Sequence, residues 1–197
     1  HTDTDCIHVY VLDQRQLTAD EQAVIKLYRA QAVDSSKVSL KEFIKSNDFV
    51  IPSPGVSLSS YKEFSNKFLC ELDFFSDFFT KPPVAITGSL GKTTITRLFA
   101  KLLSAYEHPS GHGNYKAFVG GNVGIGMLDL VKQQETADIG VLELSSFQLE
   151  MNKKFAPDVA VWTNWYPNHL DWHGTAEDYF KAKSNLVRFQ SERQHAV

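Results

Sequence analysis

The stretch Val84-Ala85-Ile86-Thr87-Gly88-Ser89-Leu90-Gly91-Lys92-Thr93-Thr94 constrains this chain more than any other. A short apolar run rich in β-branched residues enters a glycine loop. A lysine and two hydroxyl residues then open a helical pattern through Ile95, Leu98, Phe99 and Leu102. A strand–turn–helix of this kind aims its loop amides and the positive end of the helix dipole at one spot, so an anion belongs there. Gly88, Ser89, Leu90, Gly91, Lys92, Thr93 and Thr94 are therefore the candidate phosphate cradle, with Lys92 as a mobile charge. Thr93 can offer a hydroxyl to a magnesium ion bridging phosphate oxygens. The general phosphate-loop pattern would need glycine at position 86, where Ile86 stands, so this is a short form. The competing reading is an ordinary glycine-rich turn with a surface lysine.

At 197 residues, 43% hydrophobic and 22% charged, the chain can bury one large or two small cores. A net charge of −3 argues against nucleic acid or any broad polyanion as partner, and leaves a local anion site as the one suggested. Cys6 and Cys70 stand apart without metal-ligand spacing, which suits a reducing compartment better than a disulfide framework. No run approaches the roughly 18 apolar residues of a membrane span, and the first residues lack a leader's apolar core. The expectation is a soluble cytoplasmic protein with no membrane partner.

In chain order, Ile7 to Leu12 reads as a buried strand that delivers Asp13 and Arg15 to its carboxyl edge, where open α/β sheets bind ligands; a solvated turn is the alternative. Thr18-Ala19-Asp20-Glu21 is a capping box opening a helix with the apolar stripe Val24, Leu27 and Tyr28. Phe49-Val50-Ile51 runs into Pro52-Ser53-Pro54-Gly55, either a strand end whose amides could meet a phosphate or a structural turn. Phe74, Phe75, Phe78 and Phe79 are expected to form a helix face against the core, and Lys81-Pro82-Pro83 suggests a domain boundary near residue 80. His108 to Asn114 is polar and glycine-rich, and Gly120-Gly121-Asn122-Val123-Gly124 reads as a second strand–loop–helix junction with close backbone approach to a ligand. Glu143 falls near the end of the apolar strand Gly140 to Leu144, where an unpaired carboxylate is costly unless a metal is close. Val159 to Thr163 is another buried strand, with Asn164, Asn168, His169, Asp171 and His173 at its carboxyl edge. A helix after Gly174 then presents Tyr179, Ala182, Lys183 and Leu186. Strands alternating with helices give a parallel, doubly wound α/β architecture.

The strings Thr87 to Thr94, Gly120 to Gly124, Leu142 to Glu150 and Asn168 to Gly174 resemble, in order and spacing, the Mur ligases of peptidoglycan synthesis. Ser145-Ser146-Phe147-Gln148-Leu149-Glu150 resembles the D-glutamate-adding branch. Asp13-Gln14-Arg15 and Ser53-Pro54-Gly55 match that branch's uridine-nucleotide domain. The resemblance implies an α/β chain. An incomplete Rossmann-like nucleotide domain would span residues 1–80, and a P-loop ATPase-like central domain with a mainly parallel sheet would span 81–197. It implies ATP and two Mg2+ sites, with Lys92, Glu143, His169 and Lys183 as the catalytic set. Thr93 and Glu143 would hold one metal; His169 and a carbamylated Lys183 would hold the other. Asp13, Arg15, Ser53, Pro54, Gly55, Asn122, Ser145 and Gln148 would bind substrate, the partners being UDP-N-acetylmuramoyl-L-alanine and D-glutamate and the acting unit a monomer.

Two residues depart from the family pattern. Leu90 stands where a small or polar residue is usual, and Asn168 where aspartate is commoner. The family's opening glycine-rich strand–turn–helix and its C-terminal domain have no counterpart, so the chain reads as a fragment, inactive alone. Another Mur-type ligase, a folylpolyglutamate synthase and a non-catalytic nucleotide-binding module are the competing readings.

Overall fold

A computed structural model describes residues 7–53 and 56–197, so Cys6, Pro54 and Gly55 lie outside the described residues. The chain divides into two compact units, one built from residues up to Val50 with Leu58–Phe68, the other from Ile51–Ser57 with Leu69–Val197.

In the first unit β1 (Tyr10–Leu12) pairs in parallel with β2 (Gln31–Val33), and α1 (Ala19–Leu27) is the crossover between them. Thr18 and Glu21 cap α1 reciprocally, as the sequence predicts. α2 (Leu40–Ser46) opens on the same device, Ser39 with Glu42, and a 3-10 segment spans Ser59–Lys67. The Lys67 ammonium donates to the carbonyls of Ile44, Lys45 and Asn47 at 3.2, 2.9 and 2.7 Å, closing the end of α2. Phe43, Ile44, Val50 and Phe68 are buried. Two sequence expectations change here. The first strand is shorter than Ile7 to Leu12 and is not buried, because its partner offers only Gln31–Val33 and leaves Ile7, Val9 and Tyr10 exposed. The stripe Val24, Leu27 and Tyr28 is exposed, since two strands of three residues cannot cover it.

The second unit contains α3 (Glu71–Phe78), β3 (Pro83–Thr87), α4 (Lys92–Leu103), β4 (Ala117–Gly121), α5 (Met127–Gln133), β5 (Ile139–Glu143), α6 (Ser146–Glu150), β6 (Val159–Trp162), α7 (Leu170–His173), α8 (Ala176–Ser184) and β7 (His195–Ala196). Its five strands are all parallel in the order β4-β5-β3-β6-β7. The period of two sorts side chains to opposite faces. Val84, Ile86 and Val141 meet Ala100, Ile95 and Phe99 of α4 on one side, while Ala85 and Leu142 join Leu72, Phe75, Met127, Leu130, Leu149 and Phe155 on the other. α3 thus belongs to this unit, ahead of the boundary expected at residue 80. Phe75 and Phe79 are buried, but Phe78, the last residue of α3, is 58% exposed. Leu98 and Leu102 of α4 are each 50% exposed, outside the set Ile95, Phe99 and Leu103 that packs on the sheet. Among the described residues no helix is long and apolar enough to cross a membrane.

Candidate active site

The glycine loop leaves the central strand β3, whose neighbours β5 and β6 lie on opposite sides, so it sits where the strand order reverses and α/β sheets form ligand crevices. Gly91 adopts a left-handed conformation (φ 76°) as the N-cap of α4, and the amides of Lys92, Thr93 and Thr94 that follow have no acceptor within the helix. A Cβ on Gly88 would come within 2.0 Å of Thr163 Oγ1, which excludes any larger residue there. The Lys92 ammonium folds back to donate to the Gly88 and Ser89 carbonyls at 2.9 and 3.2 Å.

The loop is held from the end of β6. Asn164 accepts the Leu90 N–H at its side-chain oxygen (3.0 Å), donates its amide to the Leu90 carbonyl (2.9 Å), and accepts the Ser89 N–H at its own carbonyl (3.2 Å). Ser89 Oγ donates to the Tyr166 carbonyl and accepts the Tyr166 N–H, each at 2.9 Å, and lies 3.0 Å from the Tyr179 hydroxyl. The amides of Ser89 and Leu90 are therefore committed to Asn164, while the Leu90 side chain is 61% exposed. Sequence reasoning put Asn164 on this edge without a role. The available signal was an asparagine just past a strand adjacent to the loop strand.

Lys183, from α8, reaches the same loop from beneath. Its buried ammonium donates to the Gly88 carbonyl at 2.9 Å and to Thr87 Oγ1 at 3.1 Å, and Thr87 Oγ1 donates to the Leu144 carbonyl at 2.8 Å. Among the described residues no carboxylate pairs with it. Burial, reinforced by the nearby Lys92 charge, pushes its pKa from 10.5 down to about 7. Two amines thus converge on one carbonyl, and burial favours the neutral form of the inner one.

Glu143 ends β5, in register with Ile86 of β3 and Gly121 of β4. It is buried; one carboxylate oxygen accepts the Asn122 amide at 2.9 Å, and the other has no partner. Leaving such an oxygen bare costs on the order of 1–3 kcal/mol or more. That is the position a metal would satisfy. Gly121 (φ 95°) permits the approach, since a Cβ there would lie 2.4 Å from the Glu143 carbonyl oxygen. Ser145 and Gln148 cap α6 reciprocally, and with Glu71, Gly121, Asn122, Phe147 and Trp172 they line a cleft of about 510 Å³. His169 is exposed in a left-handed conformation (φ 53°), its ring edge-on to Phe147 at 5.0 Å and 6.2 Å from Tyr179. Asn168 accepts the His169 N–H at 2.9 Å.

With this geometry in view, the Mur ligase middle domain matches residues 86–197. The chain belongs to the Mur ligase family. It is similar to the UDP-N-acetylmuramoylalanine–D-glutamate ligase of Desulfotalea psychrophila, 36% identical over 96% of this chain and 41% of that protein. The protein of the same description from Geobacter metallireducens is 38% identical over 76% of this chain and 33% of its own length. A solved structure, the MurF ligase of Thermotoga maritima in complex with ADP, is similar at a TM-score of 0.47 and 20% identity, over 79% of this chain and 38% of that one. The chain spans about two fifths or less of the length of these curated relatives.

In this Mur ligase chain the phosphate loop and Glu143 stand at the carboxyl ends of β3 and β5, Lys183 donates to the loop, and the His169 ring lies 6.2 Å from that of Tyr179, whose hydroxyl is 3.0 Å from Ser89 Oγ. His173, left without a role by the sequence reading, is the buried histidine: its Nε2 lies 3.0 Å from Ser146 Oγ and its ring stacks on Phe147 at 5.6 Å. Burial lowers its pKa, opposed in part by the Glu150 carboxylate. Asp13 and Arg15 follow β1 in the first unit, where Arg15 pairs with Asp13 at 2.8 Å and with Glu21 at 3.2 Å in the open. That guanidinium holds the Asp13 carboxyl below its ordinary range. Ser53 is exposed, its carbonyl accepting the Val56 N–H at 3.1 Å. Pro54 and Gly55, the other nucleotide candidates, are outside the described residues.

Proposed function

We propose that this chain carries the phosphate-activating part of a ligase that joins D-glutamate to UDP-N-acetylmuramoyl-L-alanine at the expense of ATP. The names of the two curated relatives support the reading. The observation that carries it is the partnerless Glu143 oxygen beside the phosphate loop. Lys92 would leave the Gly88 and Ser89 carbonyls to meet the β- and γ-phosphates with the free amides of Lys92, Thr93 and Thr94. The L-alanine carboxylate would attack the γ-phosphorus and expel ADP. The D-glutamate amine would then attack the acyl phosphate, expelling phosphate and losing its proton to solvent. Such transfer relies on positioning and charge neutralisation.

Two Mg2+ ions would supply the neutralising charge, one held by Thr93 and Glu143, the other by His169 and Lys183. The Lys183 amine, with a pKa near 7, is neutral often enough to add to CO2, forming an N–C bond and releasing one proton. The resulting carbamate would turn a cation into a ligand. Gly88, Ser89, Leu90 and Gly91 shape the cradle. Asn122, Ser145 and Gln148, in the cleft, would position the acceptor. Asp13, Arg15, Ser53, Pro54 and Gly55 would hold the uridine nucleotide. The buried free thiol of Cys70, its pKa pushed up to about 12, suits a reducing cytoplasm, and we take a monomer as the acting unit.

Calorimetry with a non-hydrolysable ATP analogue and Mg2+ tests the loop in this chain; binding is expected and is lost in Lys92→Ala. Phosphate release by the native gene product tests the reaction, and is expected only with UDP-N-acetylmuramoyl-L-alanine and D-glutamate together. A response to L-lysine, diaminopimelate or a folate instead would assign a sister ligase or folylpolyglutamate synthase. Nucleotide binding with no release for any pair would establish a non-catalytic module, the second reading, which the committed Leu90 amide favours.

A further inference from the structure

We propose a metal site at the opposite edge of the sheet, in which His108, His112 and Asp138 hold a divalent transition-metal ion of the zinc class. One ring nitrogen of each histidine and one Asp138 oxygen all lie within 4.8 Å of one another. These residues precede β4 and β5, whereas the phosphate loop follows β3, and parallel strands put the two sites at opposite ends.

The backbone builds the site. The loop after α4 is clamped by Tyr115 N–H to the Tyr106 carbonyl (3.0 Å), His108 N–H to the Gly113 carbonyl (2.7 Å) and Gly111 N–H to the His108 carbonyl (2.9 Å). The Asn114 amide ties it to the Ser104 carbonyl at 3.0 Å. Gly111 (φ 74°) and Gly113 (φ 108°) flank His112 in left-handed conformations and turn its ring onto that of His108, centroids 4.1 Å apart. Ser110 Oγ contacts Nδ1 of both rings and keeps them side by side. The carboxylate is equally fixed. Asp138 accepts the Lys116 N–H at 2.9 Å on Oδ2, leaving Oδ1 3.3 Å from His112 Nε2.

Two stacked imidazoles would repel if both were protonated, whereas neutral rings each have a nitrogen lone pair to offer a shared cation. One carboxylate then offsets half of its charge. Ligands at zinc's ~2.1 Å bond length stand roughly 3.4 Å apart around a tetrahedral ion, so His112 and Asp138 are already at that spacing and the widest pair closes by at most about 1.4 Å through side-chain rotation. Two imidazoles and a carboxylate select zinc, cobalt, nickel or copper over magnesium, so the site takes a different ion from the one proposed beside Glu143. Three protein ligands leave a position for water. The bound ion would fasten the loop after α4 to the start of β5.

The test uses the full chain with ZnCl2 alone, followed by long-range 15N–1H correlation of the histidine rings. One equivalent of zinc is expected to shift the His108 and His112 ring nitrogens before those of His169 and His173; excess MgCl2 is expected to leave His108 and His112 in place. Calorimetry on His112→Ala and Asp138→Asn should show that equivalent weakened at least ~100-fold, as loss of a ligand exceeds the 10–100-fold of an outer partner. Unmoved His108 and His112 signals, or a zinc affinity equal in the variants and the parent chain, overturns the site. Because the ring signals are read in the unsubstituted chain, a variant that fails to fold does not obscure the result.

Discussion

α1 and α6 open on the same reciprocal cap, Thr18 with Glu21 in one and Ser145 with Gln148 in the other, yet α1 buries no residue and the shorter α6 buries Ser146 and Leu149. The cap decides where a helix begins because it satisfies amides that the helix itself cannot. What the helix then contributes depends on the layer beneath it. The first unit supplies two paired strands, the second five parallel strands with apolar clusters on both faces. Among the described residues, Asn164, Tyr166, Tyr179 and Lys183, which bond the phosphate loop, belong to the second unit, where central strands buried on both sides hold their carboxyl ends in place.

The largest expected contrast is in the cores. Phe75→Ala, at a fully buried ring, should cost about 3–5 kcal/mol in denaturant unfolding. Leu27→Ala, at a side chain 74% exposed, should stay within ~0.5 kcal/mol. Equal losses would break the comparison. Next, Lys92→Ala in the native gene product should lower turnover at least about a hundredfold, ~2.7 kcal/mol of transition-state stabilisation. Near-normal turnover would take the loop out of the mechanism.

Lys183 sharpens the contrast through pH. Its folded-state pKa is lowered from 10.5 to about 7, so between those values the unfolded chain binds more protons than the folded one. Stability in CO2-free buffer should therefore rise with pH across that window, by up to ~1.4 kcal/mol per unit, and be lowest below it. Lys183→Met should flatten the rise. In the native gene product Lys183→Ala should lose most activity and regain part of it with short carboxylates; a rate indifferent both to this change and to bicarbonate depletion would discard the carbamate. The smallest effect is the most even one: Thr18→Ala and Thr175→Ala, caps in the two units, should each cost about 1 kcal/mol, because a cap is local wherever it sits.

Much of the candidate site's local geometry was legible because its parts are short strings with local mechanics. The turn from β3 into α4, Glu143 at a strand end, the junction at Asn122 and the face of α8 carrying Lys183 are each set by a few neighbouring residues. Asn164 as the clamp of the loop was not legible, nor was Thr163 as the reason Gly88 must be glycine, since both depend on β6 lying beside β3. The histidines illustrate the same limit. His169 and His173 share a sequence neighbourhood and both pack against Phe147, but only His173 is buried, with its Nε2 against Ser146 Oγ.

The amino-acid order by itself determined where helices begin, where the glycine loop breaks the chain and which strands are apolar, because caps, dihedral preferences and side-chain periodicity act over a few residues. Tertiary structure alone decided which apolar stripes are covered and which polar groups meet. The contact that brings Lys183 to Thr87 joins positions 96 residues apart. Its energetics exist only once the sheet has closed around both, since burial and pairing are properties of the surroundings and not of the string.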